Sequence, residues 1–302
     1  MSSMRIDAHI HIWERRCLPD EAVRGYMEPL RKLQELGLGG VFDLGLDDDI
    51  PFPDYEEPMY TYTSAMDANG IDYAVVLGID FGLVNEGRIT NDEYMDWMHE
   101  RCSTDDRFIP FIGVDPNRKD AIDMLNRYHR KYSPKGLKLY PVTGFYPDDP
   151  KYDEFWRTVD DMGLVVTTHA GMALRPLDEK YCHPSYLSKV ADRYPDLKII
   201  IAHLGGKFHD EIFPLMDAHE NVYTDCSALQ GWVSEDKGMV GRRLKETMSR
   251  YPDRVVFGSD MPIYEFSFSY SQFVSLIMEG DWGNSKMKED LMGNNMSRIL
   301  GL

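Results

Sequence analysis

The sequence alternates eight times between a short apolar run and a segment with apolar residues at helical spacing. The runs are near-continuous in Val, Ile and Leu, as in parallel strands buried on both faces, and Ile199–Ile201 is the clearest. The predicted strands are Arg5–Ile10, Tyr73–Ile79, Phe108–Val114, Gly136–Tyr140, Leu164–His169, Leu197–His203, Val222–Asp225 and Val255–Ser259. Eight such strand–helix units predict a parallel sheet that closes into a (β/α)8 TIM barrel.

The segments between the strands have the pattern of amphipathic helices. Between Ala121 and Tyr128, after the candidate N-cap Asn117, apolar residues recur at i, i+3, i+4 and i+7. The other predicted helices are Asp92–Thr104, one around Tyr152–Val159, Pro184–Tyr194, Asp210–His219, Lys237–Arg250, Phe268–Glu279 and Lys286–Leu300. An open doubly wound sheet is the alternative, but no G-x-G-x-x-G follows the first strand. No low-complexity linker divides the sequence, so we expect one domain over residues 1–302.

The longest interruption of this pattern follows the first strand and covers about residues 14–67. It contains a predicted helix, Glu21–Leu36, and a polar loop, Asp43–Glu57, which is rich in acidic residues and proline. An insertion at this end of a barrel commonly forms a wall, a lid or an oligomer contact. Simple solvation of the acidic side chains is the alternative explanation for most of the charges.

Composition and charge exclude several classes of function. The formal net charge of −18, with no basic stripe, argues against a nucleic-acid partner. No apolar run approaches the roughly 18–20 residues of a membrane span, and the first residues lack the apolar stretch of a signal peptide. The four cysteines are far apart and form no C-x-x-C pair. These features predict a cytoplasmic protein that acts on a small molecule, with no membrane or nucleic-acid partner.

Side chains that can bind metals occur where the predicted strands end. His9 and His11 lie two residues apart on an extended strand, so their imidazoles point to the same side and suit Zn²⁺ or a similar cation. Further side chains at strand ends are Lys138, His169, His203 and Asp260. A single histidine there is more often a hydrogen-bonded core residue, and a lone aspartate after Gly-Ser is usually an N-cap. In a barrel, however, all these ends meet at one face, so the set predicts a metal site.

The ordered set of motifs resembles the amidohydrolase superfamily, in particular the amidohydrolase 2 branch, which includes proteins similar to aminocarboxymuconate-semialdehyde decarboxylase. The stretches that carry the resemblance are Ile6–His11, Gly136–Pro141, Thr168–Gly171, Ala202–Gly206, Phe257–Pro262 and Gly293–Leu302. They extend over nearly the whole chain. The resemblance implies a metal-dependent enzyme, and it implies a homodimer because this branch commonly forms dimers.

The resemblance also assigns roles to individual residues. It implies that one divalent metal, zinc or alternatively manganese, is bound by His9, His11, His169 and Asp260. His203 corresponds to a histidine that orients the bound water or the substrate and does not bind the metal in mononuclear members. Lys138 corresponds to a carboxylated lysine that bridges two metals in binuclear relatives. A second metal bound through Lys138 and His203 is therefore the alternative.

Three chemical outcomes follow from such a site. A metal-activated water, with Asp260 as proton acceptor, would hydrolyse an amide, an ester or a lactone. The same site could instead decarboxylate an unsaturated or aromatic acid, although resorcylate-type decarboxylases often have Glu-x-His in place of His9-x-His11. A third possibility is a metal-binding barrel without catalysis, which the intact ligand set disfavours. The residues expected to contact the substrate are Lys138, Tyr140 and Arg175.

Overall fold

The fold is a ring of eight parallel strands with helices between them. The computed structural model describes residues 4–21, 59–82, 87–173, 176–232, 236, 238–263 and 268–302. Neighbouring strands pair in parallel in the order of the chain. The strands are β1 (Ile6–Ile10), β2 (Tyr73–Leu77), β3 (Phe108–Gly113), β4 (Gly136–Leu139), β5 (Val165–Thr168), β6 (Ile199–Ile201), β7 (Val222–Asp225) and β8 (Val255–Val256). All eight strands predicted from the sequence are confirmed.

Backbone hydrogen bonds between the first strand and the segment around the last one complete the ring. The N–H of Ala8 donates to the carbonyl of Phe257 at 2.8 Å, and the N–H of Asp260 donates to the carbonyl of His9 at 2.8 Å. The N–H of His11 donates to the carbonyl of Met261 at 2.7 Å. These bonds confirm the predicted TIM barrel, and they place the His9–His11 stretch directly beside Asp260.

Helices follow the strands much as the sequence predicts. They are α1 (Tyr60–Asn69), α2 (Asn91–Cys102), α3 (Ala121–Tyr132), α4 (Asp153–Asp161), α5 (Ser188–Arg193), α6 (Ile212–Ala218), α7 (Met239–Arg250), α8 (Tyr270–Glu279), α9 (Ser285–Glu289) and α10 (Asn295–Leu300). Short 3₁₀ turns lie at Arg15–Cys17, Pro141–Thr143, Pro150–Tyr152, Glu179–Cys182, Pro184–Leu187 and Leu229–Trp232, and within Ala202–Glu211.

The helix ends have identifiable local causes. Helix α2 begins at a capping box in which Thr90 and Glu93 bond each other's backbone N–H. Helix α3 begins after Asp120, so the prediction that Asn117 is its N-cap was wrong. The predicted helix Lys286–Leu300 is divided, because a wider π-type turn at Asp290–Asn294 separates α9 from α10.

The core has two layers. A smaller apolar cluster combines residues from strands around the ring with the last helix, and it fills the barrel below the strand ends; its members are Ile6, Ala8, Val75, Leu77, Phe111, Val165, Ile200, Val256, Met296, Ile299 and Leu300. A larger cluster lies between the strands and the helices. Gly136 is required in the inner layer, because a Cβ at this position would lie 2.3 Å from the ring of Phe111.

The insertion after β1 is described only at its two ends, by the turn Arg15–Cys17 and by α1. Almost all of the predicted helix Glu21–Leu36 and the whole acidic loop Asp43–Glu57 lie outside the described residues. Among the helices in the described ranges, none is both long and apolar enough to cross a membrane.

Candidate metal centre

Three side chains converge at the seam where β1 meets the segment after β8. The Nε2 atoms of His9 and His11 are 3.2 Å apart, and Oδ1 of Asp260 lies 3.4 Å from the first and 3.3 Å from the second. All three residues are buried. Tetrahedral ligands at about 2.0–2.1 Å from zinc are about 3.3–3.4 Å from one another. The spacing of these three atoms therefore matches that of three ligands around one ion.

The outer nitrogens of the two imidazoles determine where their protons lie. Nδ1 of His11 is 2.8 Å from the carbonyl oxygen of Leu77, and Nδ1 of His9 is 2.8 Å from Oδ2 of Asp225. A carbonyl and a carboxylate only accept hydrogen bonds, so each Nδ1 carries the proton and each Nε2 has a free lone pair. The buried Oδ1 of Asp260 also has no hydrogen-bond partner among the described residues. Three lone-pair atoms that face one another are stabilised by a cation between them, and the donor set fits a divalent metal.

The backbone around these ligands is shaped to bring them together. Asp260 has a φ of 60°, a left-handed conformation that is uncommon for a residue other than glycine. Oδ1 of Asp7 accepts the N–H groups of His9 and Ser259, both at 3.0 Å, and so ties the two sides of the seam together. At Gly258, a Cβ would lie 2.7 Å from Cβ of His9, so only glycine leaves room for the imidazole.

His169 and His203 form a second contact pair beside this group. Nδ1 of His169 lies 3.2 Å from Nε2 of His203, and Nε2 of His169 donates to the carbonyl oxygen of Met172 at 3.0 Å. The ring of His203 is in turn 5.1 Å from that of His9, centroid to centroid. The structure thus places the predicted ligand His169 against His203, one imidazole away from the group of His9, His11 and Asp260.

The left-handed turn after β6 positions His203. His203 and Leu204 have φ values of 64° and 47°, and two glycines with positive φ follow them. The close approach of Gly206 to Gly171, where a Cβ would lie 2.7 Å from the facing Cα, brings this turn next to the loop that carries His169. Glycines are needed here because both backbones are in contact.

Burial controls the charge of the centre. It lowers the pKa of all four imidazoles, that of His203 to about 4, so they are neutral donors of lone pairs at pH 7. Burial also lowers the pKa of Lys138 to about 8, against the opposing charges of Asp225 and Asp260. Nζ of Lys138 is 3.4 Å from Nε2 of His9. Two carboxylates against one ammonium give the group a net negative charge that attracts a cation.

The remaining predicted residues have different outcomes. Tyr140 is buried and makes T-shaped ring contacts with His169 and Phe81, with centroids 5.0 Å and 5.8 Å away. Arg175 lies outside the described residues. The sequence analysis missed Asp225, which bonds His9 and forms a second possible ligand group with His9 and His203. Asp225 is the last residue of a strand that was predicted correctly, so its position at a strand end was the available signal.

A parallel barrel whose strand ends hold buried histidines and a carboxylate around one point defines a metal-dependent enzyme. Residues 6–302 match the model of the amidohydrolase family, and the chain belongs to that family. Its members are metal-dependent, and in this chain the group of His9, His11 and Asp260 could hold the ion.

Solved structures and one curated protein are also similar to this chain. An uncharacterized TIM-barrel protein from Bordetella bronchiseptica superposes with a TM-score of 0.71 at 18% identity, covering 99% of this chain and 98% of that one. The 5-carboxyvanillate decarboxylase from Sphingomonas paucimobilis superposes with a TM-score of 0.66 at 17% identity over 100% of both chains. The dihydroorotase of Helicobacter pylori is 28% identical over 138 residues, which are 43% of this chain and only 39% of that protein.

Proposed function

We propose that this protein is a metal-dependent hydrolase of a small amide, ester or lactone. The observation that carries the proposal is the buried Oδ1 of Asp260, which lacks a hydrogen-bond partner among the described residues and faces the lone pairs of His9 and His11. We further propose that the ion is a single zinc, with manganese as the alternative, and that His169 is the fourth ligand. A second ion would have to use Lys138 and His203.

Each side chain has a distinct task in the proposed reaction. When bound, a divalent ion supplies Lewis acidity and lowers the pKa of a bound water toward neutrality. Asp260 accepts the proton of the attacking water and returns it to the leaving group. His203 orients the water or the substrate, and the buried ammonium of Lys138 pairs with an anionic substituent. Tyr140 and Arg175 are proposed to contact the remainder of the substrate.

Non-oxidative decarboxylation of an unsaturated or aromatic acid is the second candidate. The observation that favours it is the likeness to the 5-carboxyvanillate decarboxylase over the full length of both chains. A buried lysine beside the proposed ligands would also suit a carboxylated substrate. The pair His9-x-His11 differs from the Glu-x-His of many resorcylate-type decarboxylases, so hydrolysis is the preferred proposal.

Metal analysis followed by product analysis tests both candidates. Protein purified without chelator should contain near one zinc per chain, whereas near two would assign Lys138 and His203 as ligands. The loaded protein is then incubated in H₂¹⁸O with cyclic amides, lactones and carboxylated enols or arenes. Uptake of ¹⁸O into product supports hydrolysis, and stoichiometric CO₂ release supports decarboxylation. Absence of metal after reconstitution with Zn²⁺ and Mn²⁺ would refute both and support a barrel that lacks catalysis.

We also propose that the chain is a single domain, forms a homodimer and acts in the cytoplasm. The match of the family model to residues 6–302 supports the single domain. Light scattering coupled to size-exclusion chromatography tests the dimer, since a monomeric mass at micromolar concentration would contradict it.

A further inference from the structure

One buried hydroxyl connects the two histidine groups. Oγ of Ser227 lies 2.7 Å from Nδ1 of His203, 2.5 Å from Oδ1 of Asp225 and 3.1 Å from Nδ1 of His9. Ser227 and Asp225 are fully buried, so water does not compete for these bonds. A hydroxyl has one proton to donate and otherwise accepts, and the direction of each bond therefore follows from its neighbours.

The carboxylate of Asp225 sets that direction. Its Oδ1 also accepts the backbone N–H of His203 at 2.9 Å and that of Ser227 at 3.0 Å. An oxygen that already accepts two backbone N–H groups is an acceptor for the hydroxyl as well, so the Ser227 proton points to Asp225 and Oγ accepts from Nδ1 of His203.

We propose that Asp225, acting through Ser227, holds His203 as the Nδ1-protonated tautomer, so that its Nε2 enters the centre as a lone-pair acceptor. Asp225 and Ser227 are thus positioning residues, and the single carboxylate orients both His9 and His203. The tautomer is inferred from the bonds around Ser227 and Asp225; only what His203 acts upon rests on the proposed function.

This tautomer restricts what His203 can do in the proposed reaction. Nε2 of His203 faces Nδ1 of His169, which also has a lone pair because the other nitrogen of His169 donates to Met172. A neutral His203 then cannot donate a hydrogen bond to a substrate carbonyl. It can accept the proton of a water or share a cation with His169. A hydrogen bond donated to the substrate oxygen would then have to come from another group. The ammonium of Lys138, 3.4 Å from Nε2 of His9, is a donor at this centre.

Histidine tautomers are observed directly by two-bond ¹⁵N–¹H correlation spectra of metal-free, ¹⁵N-histidine-labelled protein. In the wild type we expect His203 to show a protonated Nδ1 and an unprotonated Nε2. Ser227→Ala removes the acceptor, and we expect the loss of the Nδ1-protonated signal as Nε2 becomes protonated and donates to His169. Thr224→Val is the matched control, because it removes a buried hydroxyl in β7, just before Ser227, whose bonds within the described residues go to backbone carbonyls, chiefly that of Ile201.

Two results would overturn the proposal. One is a wild-type His203 protonated at Nε2, and the other is a folded Ser227→Ala protein that keeps the proton on Nδ1. The wild-type spectrum is decisive even if Ser227→Ala fails to fold. A protein that binds no metal in any form, yet shows the Nδ1 tautomer, would refute the proposed function and leave this inference standing.

Discussion

Asp225→Asn replaces one carboxylate oxygen by an NH₂ group without changing the size of the side chain. Three donors converge on Oδ1 of Asp225, and one donor, Nδ1 of His9, faces Oδ2. The amide oxygen of the variant should occupy the first position, because the alternative would set NH₂ against three donors. The amide nitrogen then faces His9 and forces the proton of that imidazole to Nε2, the atom that should bind the metal.

The expected cost falls on metal binding and not on the fold. In the metal-free variant, the proton on Nε2 of His9 can bond Asp260 or His11, which lie 3.4 Å and 3.2 Å away. Metal binding must return the proton to Nδ1 against the amide NH₂, which costs about 1.5–3 kcal/mol for the unsatisfied pair. Zinc affinity should therefore fall about 10- to 100-fold, the range found when partners of ligating histidines are removed.

Competition between the metal-free protein and a chromophoric zinc chelator measures this loss. Asp115→Asn is the matched control, because Asp115 is also buried and accepts hydrogen bonds from Thr143 and the backbone of Asn117, away from the proposed ligands. Thermal melts in EDTA should place Asp225→Asn within about 1 kcal/mol of the wild type, as for one exchanged hydrogen bond. Unchanged zinc affinity in Asp225→Asn, or an equal loss in Asp115→Asn, would refute the reasoning.

Three further predictions follow from the centre and its surroundings. His169→Ala should lose the metal, whereas His203→Ala should keep the metal and lose activity, as measured by elemental analysis and an activity assay. Metal retained by His169→Ala, or lost from His203→Ala, would contradict the assigned roles. Gly258→Ala places a Cβ 2.7 Å from that of His9 and should cost about 1–3 kcal/mol by overpacking, measured by urea unfolding. In contrast, Gly241→Ala, in open space within α7, should stabilise the fold by up to about 1 kcal/mol. His99 stacks on Tyr132, and burial lowers its pKa from 6.5 to about 4, so the unfolded chain takes up the proton first. The contribution of His99 to the free energy of unfolding should be fully present above pH 6.5 and should fall by up to about 3 kcal/mol toward pH 4. A His99→Gln protein whose stability falls as steeply with pH as that of the wild type, measured by thermal melts, would contradict this.

The strands could be predicted because their signal is local. A strand that is buried on both faces needs a continuous apolar run, and every run that was identified forms a strand in the barrel. Helix boundaries depend on single hydrogen bonds at the helix ends. The π-type turn that divides the last predicted helix at Asp290–Asn294 is not indicated by any such apolar pattern in the sequence. The predictions for the acidic insertion stay predictions, because its helix Glu21–Leu36 and its loop Asp43–Glu57 lie almost entirely outside the described residues.

The candidate site was predictable as a set of residues but not as a network. His9, His11 and Asp260 were identified because they lie at strand ends, and barrel closure brings them together. Asp225 satisfies the same rule, yet it was overlooked because its importance depends on bonds to His9 in β1 and to His203 in the turn after β6. The contact of His169 with His203 depends on the left-handed backbone at His203 and Leu204, which no local preference of leucine indicates.

The hydrogen bonds that join β1 to the segment after β8 mean that the first and last units of the barrel build the metal centre together. His9 and Asp260 are separated by almost the entire sequence, and they become neighbours only when the final strand docks against the first. A nascent or truncated chain that lacks the last unit therefore cannot assemble the group, however well its earlier units have folded. Metal retention would then report completion of the barrel, and an ion held across this junction would oppose the separation of its two edges.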